Sequence, residues 1–285
     1  MNLQPIITAD ALIDLTATSS PDSAVIVCDV RWYLDRRPGL AAYQSGHIPD
    51  AIFVDLDEHL TAPPRRSAGR HPLPAAATFA ASLSALGIGP QDTVVAYDDA
   101  GGMSAGRLVW MLRILGQPAA LLDGGIQHWT GPLETVTRTR PSIFCPIREW
   151  PNEIIVDADT TAAAAADSST LVLDARAPER YRGETEPVDP RAGHIPGAAN
   201  HPFATNLGED GTFLTADELR ARFLASGVTA TDDPANAPII YCGSGVSACH
   251  NLLAIEHAGL GTARLYPGSW SQWANDDSRV AATGN

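Results

Sequence analysis

Short apolar runs recur along the chain, with longer mixed stretches between them. In the first half they lie at residues 24–28 and 93–97, and in the second half at residues 171–173 and 238–241. Runs of this length are typical of strands that are buried inside a sheet. These four segments are therefore predicted to be strands.

The stretches between the runs carry the signals of helices. Residues 74–86 are followed by Gly87, and residues 215–225 end near Gly227 and have acidic side chains in the first turn, a pattern that favours helices. Strands that alternate with helices indicate a mostly parallel sheet covered by helices. The predicted fold class is therefore α/β.

The two halves of the chain carry the same motifs in the same order. The pairs are Asp29-Val30-Arg31 with Asp174-Ala175-Arg176, Gly46-His47-Ile48-Pro49 with Gly193-His194-Ile195-Pro196, and Trp129 with Trp273. The distance from Asp98 to Trp129 and from Cys242 to Trp273 is 31 residues in each half. A repeat of about 145 residues is too long for a solenoid unit, so we expect a domain duplication.

The duplication sets the predicted domain boundaries. We place a first domain at residues 1–135 and a second at residues 150–285, each with its own mostly parallel sheet flanked by helices. Residues 131–152 contain four prolines and little periodicity, which is typical of a linker. This segment is therefore predicted to connect the two domains.

Composition and charge narrow the classes of function. The 285 residues carry a formal net charge of −14, so a surface for nucleic acid or an anionic membrane is not expected. We expect no transmembrane helix and no secretory signal, because the chain has no run of eighteen apolar residues and no basic N-terminus before an apolar core. The four cysteines have no metal-type spacing, which predicts no metal site, and no dense disulfide pattern, which favours the reducing cytoplasm.

The strongest chemical signal is the segment from Tyr241 to Ser247, which reads Tyr-Cys-Gly-Ser-Gly-Val-Ser. The predicted strand delivers Cys242 into a glycine-containing loop, and a helix is predicted from about residue 247 to residue 258, ending at Gly259. The backbone N–H groups of such a loop and the helix N-terminus stabilise a negative charge. Cys242 is therefore expected to react as a thiolate.

A single cysteine at the end of a strand is more often a small buried hydrophobic residue than a nucleophile. The repeat changes this balance, because Asp98 occupies the matching place in the first half. A duplicated scaffold with cysteine in one copy and aspartate in the other indicates one active site and one inactive copy. We interpret Cys28, Cys145 and Cys249 as structural.

These features together resemble the two-domain rhodanese family. The resemblance rests on the tandem arrangement, both Gly-His-Ile-Pro motifs, the Asp-Ala-Arg motif at 174–176, the Cys242 loop and the closing Gly-Ser-Trp-Ser-Gln-Trp segment. The loop is similar to that of 3-mercaptopyruvate sulfurtransferases, and thiosulfate sulfurtransferases are the sister group. The resemblance implies two tandem rhodanese-like domains, of which the C-terminal one is catalytic and the N-terminal one, with Asp98, is silent.

The resemblance also implies roles for single residues. Cys242 would become the persulfide, in a cradle formed by Gly243, Gly245, Val246 and Ser247. Arg180 matches the arginine that holds the substrate anion, although a surface ion pair is the alternative. Arg191 either replaces the second substrate arginine of the family from a shifted position, or that contact is absent.

A proton relay is implied as well. Ser244 matches a loop serine that pairs with a histidine and an aspartate in mercaptopyruvate enzymes, and His71 and Asp57 match those partners. Such a relay would move a proton as the C–S bond breaks. Without the resemblance, His71 would be interpreted as an ordinary surface histidine.

The expected activity is the transfer of a sulfane sulfur from a small anionic donor to a thiol, cyanide or thioredoxin, without a metal or an organic cofactor. Gly243 and Ser244 are neutral, which favours 3-mercaptopyruvate, a monoanion, over thiosulfate, a dianion. A thiosulfate-preferring enzyme and a non-catalytic sulfur carrier or redox-sensing module remain alternatives. A phosphatase of the Cys-x5-Arg type is disfavoured, because Ala248 stands at the arginine position.

Overall fold

The computed structural model describes residues 3–20, 23–167 and 170–285 and divides into two compact units. The first unit comprises Met1–Thr61, Pro74–Trp150 and Glu209–Phe213, and the second comprises Ala62–Leu73, Pro151–Gly208 and Leu214–Asn285. The sequence analysis predicted two contiguous domains. The structure instead assigns residues 62–73 to the second unit and residues 209–213 to the first.

Hydrogen bonds between distant segments explain both exchanges. In the second unit, the N–H of Arg70 donates to Ser271 Oγ (3.0 Å), and the side-chain amide of Gln272 donates to the carbonyl oxygen of Ser67 (2.6 Å). In the first unit, the N–H of Phe213 donates to the carboxylate of Asp123 (2.7 Å). Such contacts cannot be inferred from proline content or periodicity. Domains predicted from those signals are therefore contiguous segments of the chain.

The first unit is built on a parallel sheet. Its strands are β1 (Ile6–Ile7), β2 (Val25–Asp29), β3 (Ile52–Phe53), β4 (Thr93–Tyr97) and β5 (Ala119–Leu122). Within the described ranges the order is β1-β5-β4-β2-β3, and all neighbours are parallel. Strands in the middle of a parallel sheet are buried on both faces, which is why β2 and β4 read as continuous apolar runs.

Helices flank this sheet in the first unit. They are α1 (Ala9–Ala17), α2 (Gly39–Ser45), α3 (Leu56–His59), α4 (Ala76–Leu86) and α5 (Ala105–Ile114). The helix predicted at residues 74–86 is α4, which begins two residues later. It ends at Gly87, whose φ of +69° is a left-handed conformation that glycine adopts without a steric penalty.

Most of the predicted linker, residues 131–150, lies along the first unit. The N–H of Arg138 donates to the hydroxyl oxygen of Tyr43 (2.8 Å), and the indole N–H of Trp150 donates to the carbonyl oxygen of Pro74 (2.8 Å). The segment has no helix or strand, because its prolines remove backbone donors. It is therefore an extended segment that packs on the first unit, whereas the sequence analysis had predicted only a linker between the two domains.

The second unit repeats the architecture. Its strands are β6 (Val172–Asp174), β7 (Ala199–Asn200), β8 (Ile239–Tyr241) and β9 (Arg264–Leu265). Over the residues described they follow the order β7-β6-β8-β9, again with parallel neighbours. Ile155 forms a parallel bridge to Leu265, in the place that β1 takes beside β5. The predicted strands at 171–173 and 238–241 are thus β6 and β8.

Helices also flank the second sheet. They are α6 (Ala158–Asp167), α7 (Pro178–Tyr181), α8 (Ala216–Ala225), α9 (Ser247–His257) and α10 (Ser269–Trp273). Thr215 and Glu218 form a capping box that begins α8, which satisfies two backbone donors at the helix start. None of the helices in the described part of the chain is long and apolar enough to cross a membrane.

The repeated motifs form the same contacts in both units. Arg31 pairs with Asp29 and Arg176 pairs with Asp174, each at 2.6 Å. Each guanidinium also donates to the carbonyl oxygen of the glycine in the Gly-His-Ile-Pro motif, at 2.7 and 2.6 Å. The histidine of each motif stacks on a tyrosine at 3.8 Å and bonds the carbonyl oxygen of that tyrosine. Both motifs therefore serve the scaffold.

A buried polar network connects α9 to the segment after β7. The ring of His201 bonds Ser226 Oγ through Nδ1 (2.8 Å) and Asn206 Oδ1 through Nε2 (3.0 Å). The amide of Asn206 donates to Asn251 Oδ1, and the amide of Asn251 donates to the carbonyl oxygen of His201. Since an amide oxygen accepts, Nε2 carries the ring proton and the neutral histidine satisfies the network. Burial lowers the pKa of His201 below its ordinary value.

This lowered pKa predicts a pH dependence of stability. Because the folded state disfavours the protonated ring, the contribution of His201 is complete above the unfolded-state pKa of about 6.5 and is lost as the pH falls through the folded-state pKa. The free-energy difference between wild type and His201→Gln should shrink by up to about 1.4 kcal/mol per pH unit in that window. Urea unfolding of both proteins at about pH 7.5 and about pH 5 measures this difference, and an unchanged difference would contradict the prediction.

Candidate active site

The predicted nucleophile lies in a buried loop between β8 and α9. Cys242 directly follows β8 and is 1% exposed. Its Sγ accepts the N–H of Gly245 at 3.1 Å, and its own N–H donates to Ser269 Oγ at 3.1 Å. The helix α9 begins at Ser247, with Val246 at its N-cap. The sulfur is therefore held at the end of a central strand, close to a helix N-terminus that favours negative charge.

The loop keeps its shape because it is fastened to the segment that contains α10. The carbonyl oxygen of Cys242 accepts the N–H of Trp270 (2.9 Å), and that of Gly243 accepts the N–H of Ser271 (2.8 Å). Gly245 has φ +77°, and a Cβ atom there would lie 2.5 Å from the carbonyl oxygen of Pro267. Only glycine fits this close approach, so the second glycine of the loop is a steric requirement.

Two guanidinium groups lie against Gly243. A Cβ atom on Gly243 would be 3.1 Å from Arg70 Nη2 and 3.5 Å from Arg180 Nη1. The structure thus places Arg180 beside the Cys242 loop, as the resemblance implied. Arg180 also pairs with Glu186 at 2.6 Å, so the ion pair that was its alternative interpretation is present too. The two roles are compatible, because Nη1 and Nη2 lie 3.5 and 3.7 Å from the Gly243 Cβ position while Nη2 also makes the pair.

Arg70 is the site residue that the sequence analysis missed. Its guanidinium pairs with Asp189, which also lies 3.5 Å from Arg180 Nη2. Burial raises the pKa of Asp189, and the neighbouring Arg70 opposes that shift. A signal was available in the sequence, since Arg70 directly precedes the relay candidate His71. Its pairing across 119 positions could not be inferred from that neighbourhood.

Arg191 has a different position from the one considered for a substrate arginine. Its guanidinium donates to the carbonyl oxygens of four residues, at 2.7–2.9 Å; these are Trp273, Ala274, Asp276 and Arg279. Its guanidinium therefore binds the chain from the last residue of α10 to Arg279. The structure gives no support to a substrate contact from Arg191, and the second guanidinium at the loop belongs to Arg70.

The serine and histidine of the predicted relay meet in the second unit. His71 Nδ1 and Ser244 Oγ are 2.7 Å apart and both side chains are buried, so the interpretation of His71 as a surface histidine is wrong. Asp57 belongs to the first unit, in α3, where its carboxylate accepts the indole N–H of Trp32 at 2.9 Å. The Ser244–His71 pair can hold and move a proton two residues from the nucleophile. A role for Asp57 in the proton relay stays a prediction.

The matching loop of the first unit shows what its backbone can hold. The carboxylate of Asp98 accepts N–H bonds of 2.8–2.9 Å from four residues; these are Ala100, Gly102, Ser104 and Ala105. It also accepts the hydroxyl of Ser104 (3.0 Å). A loop that follows the central strand can therefore surround an anion with backbone donors. In the first unit the anion is part of the chain itself.

The other cysteines have the environments of structural residues. Burial raises the pKa of Cys28 and of Cys145, so both are thiols at neutral pH. Cys249 is buried in α9 and its thiol donates to the carbonyl oxygen of Gly245 at 3.4 Å. Where the structure describes the chain, no group of three His, Cys, Asp or Glu side chains could hold a metal ion.

The model of the Rhodanese-like domain matches residues 8–132 and 157–276. The chain belongs to the rhodanese family. The two matched ranges lie in the two repeats, so each half of the chain is a rhodanese-like domain, as the tandem motifs had indicated.

Relatives in the family extend over nearly the whole chain. A Pseudomonas aeruginosa protein named "Probable 3-mercaptopyruvate sulfurtransferase" is 44% identical over 276 residues, which cover 94% of this chain and 94% of that protein. The Arabidopsis thaliana protein named "Thiosulfate/3-mercaptopyruvate sulfurtransferase 2" is 30% identical and covers 96% of this chain and 86% of its own. The crystal structure of Escherichia coli SseA, a 3-mercaptopyruvate sulfotransferase with the rhodanese fold, superposes with a TM-score of 0.78 at 30% identity and covers 94% of this chain and 99% of its own.

The rhodanese loop yields a prediction about Gly245. Gly245→Ala places a Cβ atom 2.5 Å from a backbone carbonyl oxygen at a left-handed φ, so the loop must move away from Pro267. Gly211 is a matched control, because its φ is +82° and nothing lies within 4 Å of its Cβ position. Gly211→Ala should cost about 1 kcal/mol of unfolding free energy, and Gly245→Ala should cost at least about 2 kcal/mol more. Equal losses in urea unfolding would show that the contact with Pro267 is not restrictive.

Proposed function

We propose that this chain is a sulfurtransferase that moves a sulfane sulfur from 3-mercaptopyruvate, and also from thiosulfate, to a thiol or cyanide acceptor through a persulfide on Cys242. The observation that carries the proposal is the position of the Cys242 sulfur, which accepts the N–H of Gly245 at the start of α9. Arg180 and Arg70 stand against the same loop. A nucleophile and an anion site are thus adjacent.

The first half-reaction breaks a bond to sulfur in the donor. The Cys242 thiolate attacks the sulfur of 3-mercaptopyruvate, an S–S bond forms, and the C–S bond breaks with its electron pair going to carbon. The proton of the donor's S–H group ends on the enolate that leaves, which becomes pyruvate, and the Cys242 persulfide remains as the anion. With thiosulfate the same attack releases sulfite, and no carbon has to be protonated.

The second half-reaction returns the enzyme to its starting state. A thiol or cyanide attacks the outer sulfur of the persulfide, the S–S bond breaks, and its electron pair returns to Cys242 as thiolate. With cyanide the product is thiocyanate. This sequence has two separate substrates and one covalent intermediate, so it gives ping-pong kinetics. Thioredoxin is our proposed protein acceptor, because it presents a reactive thiol.

The donor assignment rests on charge. Gly243 and Ser244, directly after the nucleophile, are neutral, and Arg180 offers a planar fork that suits a carboxylate. Both features favour 3-mercaptopyruvate as the better donor. The chemistry requires no metal or organic cofactor, since the cysteine itself carries the sulfur. A cytoplasmic location and the absence of nucleic-acid and membrane partners stay predictions from composition.

The proposal predicts a mass change at a single residue. Incubation of the wild type with 3-mercaptopyruvate or thiosulfate should add one sulfur atom to the intact protein, and cyanide should remove it. Cys242→Ala should gain none, because Cys28 and Cys249 are buried and desolvation raises the pKa of the half-buried Cys145. Cys249→Ala is the matched control and should load sulfur like the wild type. Intact-mass spectrometry reads all three proteins, and a wild type that loads no sulfur from either donor is a non-catalytic scaffold.

The Ser244–His71 pair gives a second prediction, which concerns the protonation of the leaving enolate. Only 3-mercaptopyruvate releases a carbanion equivalent that must be protonated. Ser244→Ala and His71→Asn should therefore lower kcat/KM for 3-mercaptopyruvate by about 100-fold and change that for thiosulfate much less. Steady-state kinetics with both donors measures the split. Equal losses with both donors would mean that the pair only shapes the loop.

A further inference from the structure

Two guanidiniums and two carboxylates lie together beside the Cys242 loop. Arg180 Nη2 donates to Glu186 (2.6 Å) and to one oxygen of Asp189 (3.5 Å), and the other oxygen of Asp189 accepts from Arg70. The side chains of Asp189 and Glu186 are 2% and 3% exposed, whereas those of Arg70 and Arg180 are 28% and 19% exposed. The carboxylates are therefore the more deeply buried members of the cluster, and the guanidiniums contact the loop.

Each guanidinium keeps donors that the protein does not use. The Nε atoms of Arg70 and Arg180 are buried and have no hydrogen-bond partner among the residues described. Buried donors without partners are uncommon in native proteins. Together with the closeness of the Nη atoms of both groups to Gly243, they make the space beside the loop the candidate position for an anionic ligand.

The carboxylates decide how much positive charge such an anion meets. Two guanidiniums and two carboxylates sum to zero, and the next pair along the network, Arg176 with Asp174, also sums to zero. The chain contains no lysine, so arginine supplies all of its permanent side-chain positive charge. Coulomb energy scales with the charge of the ligand, so neutralisation of the site reduces the attraction for a dianion twice as much as for a monoanion.

We infer that Asp189 determines the donor preference: it holds Arg70 beside Arg180 and offsets their charge, so that the site favours singly charged sulfur donors of the 2-oxo-carboxylate class over doubly charged thiosulfate. Arg70 thereby takes the place considered for Arg191. The inference rests on the proposed function, because it concerns the selectivity of that same site. Asp189 is a positioning residue here, since it acts through the two guanidiniums.

The test changes the charge of Asp189 and keeps its shape. Asp189→Asn retains one oxygen that can accept from Arg70 but removes the negative charge. The ratio of kcat/KM for thiosulfate to kcat/KM for 3-mercaptopyruvate should rise about tenfold, which corresponds to about 1.4 kcal/mol. Asp189→Glu keeps the charge, and its ratio should stay within threefold of the wild type. A loss of structure alone would lower both rates and leave the ratio unchanged.

A second variant removes a positive charge instead of a negative one, so the test does not depend on whether Asp189→Asn folds. Arg70→Gln removes a positive charge, so the same ratio should fall by threefold or more. The control is Glu184→Gln in the same segment, because Glu184 is 54% exposed and pairs with Arg182. Its ratio should match the wild type.

The outcomes separate the two proposals. If the wild type forms no persulfide with either donor, the proposed function fails. If the wild type transfers sulfur but neither Asp189→Asn nor Arg70→Gln moves the ratio by threefold in the stated direction, the inference about Asp189 is overturned and the function stands. If Glu184→Gln moves the ratio as much as Asp189→Asn, general surface charge is the cause and the inference is also overturned.

Discussion

A buried hydrogen-bond acceptor at the carboxyl end of a central parallel strand is the constraint on which both halves of this protein are built. Backbone N–H groups of the following loop converge there, and burial makes an unsatisfied donor costly. In the first half the carboxylate of Asp98 takes up these donors. In the second half the sulfur of Cys242 stands in that position. In the first half, the loop donors are therefore bonded to a side chain of the protein itself. In the second half, the same position holds the sulfur of the predicted nucleophile.

The reactive position depends on contacts far away in the chain. Residues 269–271 hold the Cys242 loop through two backbone hydrogen bonds and the side-chain oxygen of Ser269. The segment 62–73 brings Arg70 and His71 to the loop. A network of alternating charges then fixes the arginines, and its members are Asp174, Arg176, Glu186, Arg180, Asp189 and Arg70. Because each arginine is paired, the site offers directed donors with little net charge.

Much of this could be predicted from the sequence because the relevant signals are local. The apolar runs gave β2, β4, β6 and β8 within two residues, since buried parallel strands must be apolar on both faces. Glycine at the end of α4 marked a left-handed cap. The repeated motifs revealed the duplication, and the contrast between Cys242 and Asp98 is the basis for predicting which copy is active. Each of these inferences needs only neighbouring residues or a comparison of the chain with itself.

The tertiary structure alone decided which charged groups reach the loop. Arg191 and Arg70 are both arginines beside motif residues, yet Arg191 donates to four carbonyl oxygens from the last residue of α10 to Arg279 while Arg70 pairs with Asp189 and contacts Gly243. The assignment of residues 62–73 to the second unit was likewise invisible in the composition. The physical reason is that strands and turns follow from local backbone preference and burial, whereas ion pairs form between whichever long side chains the fold brings within about 4 Å.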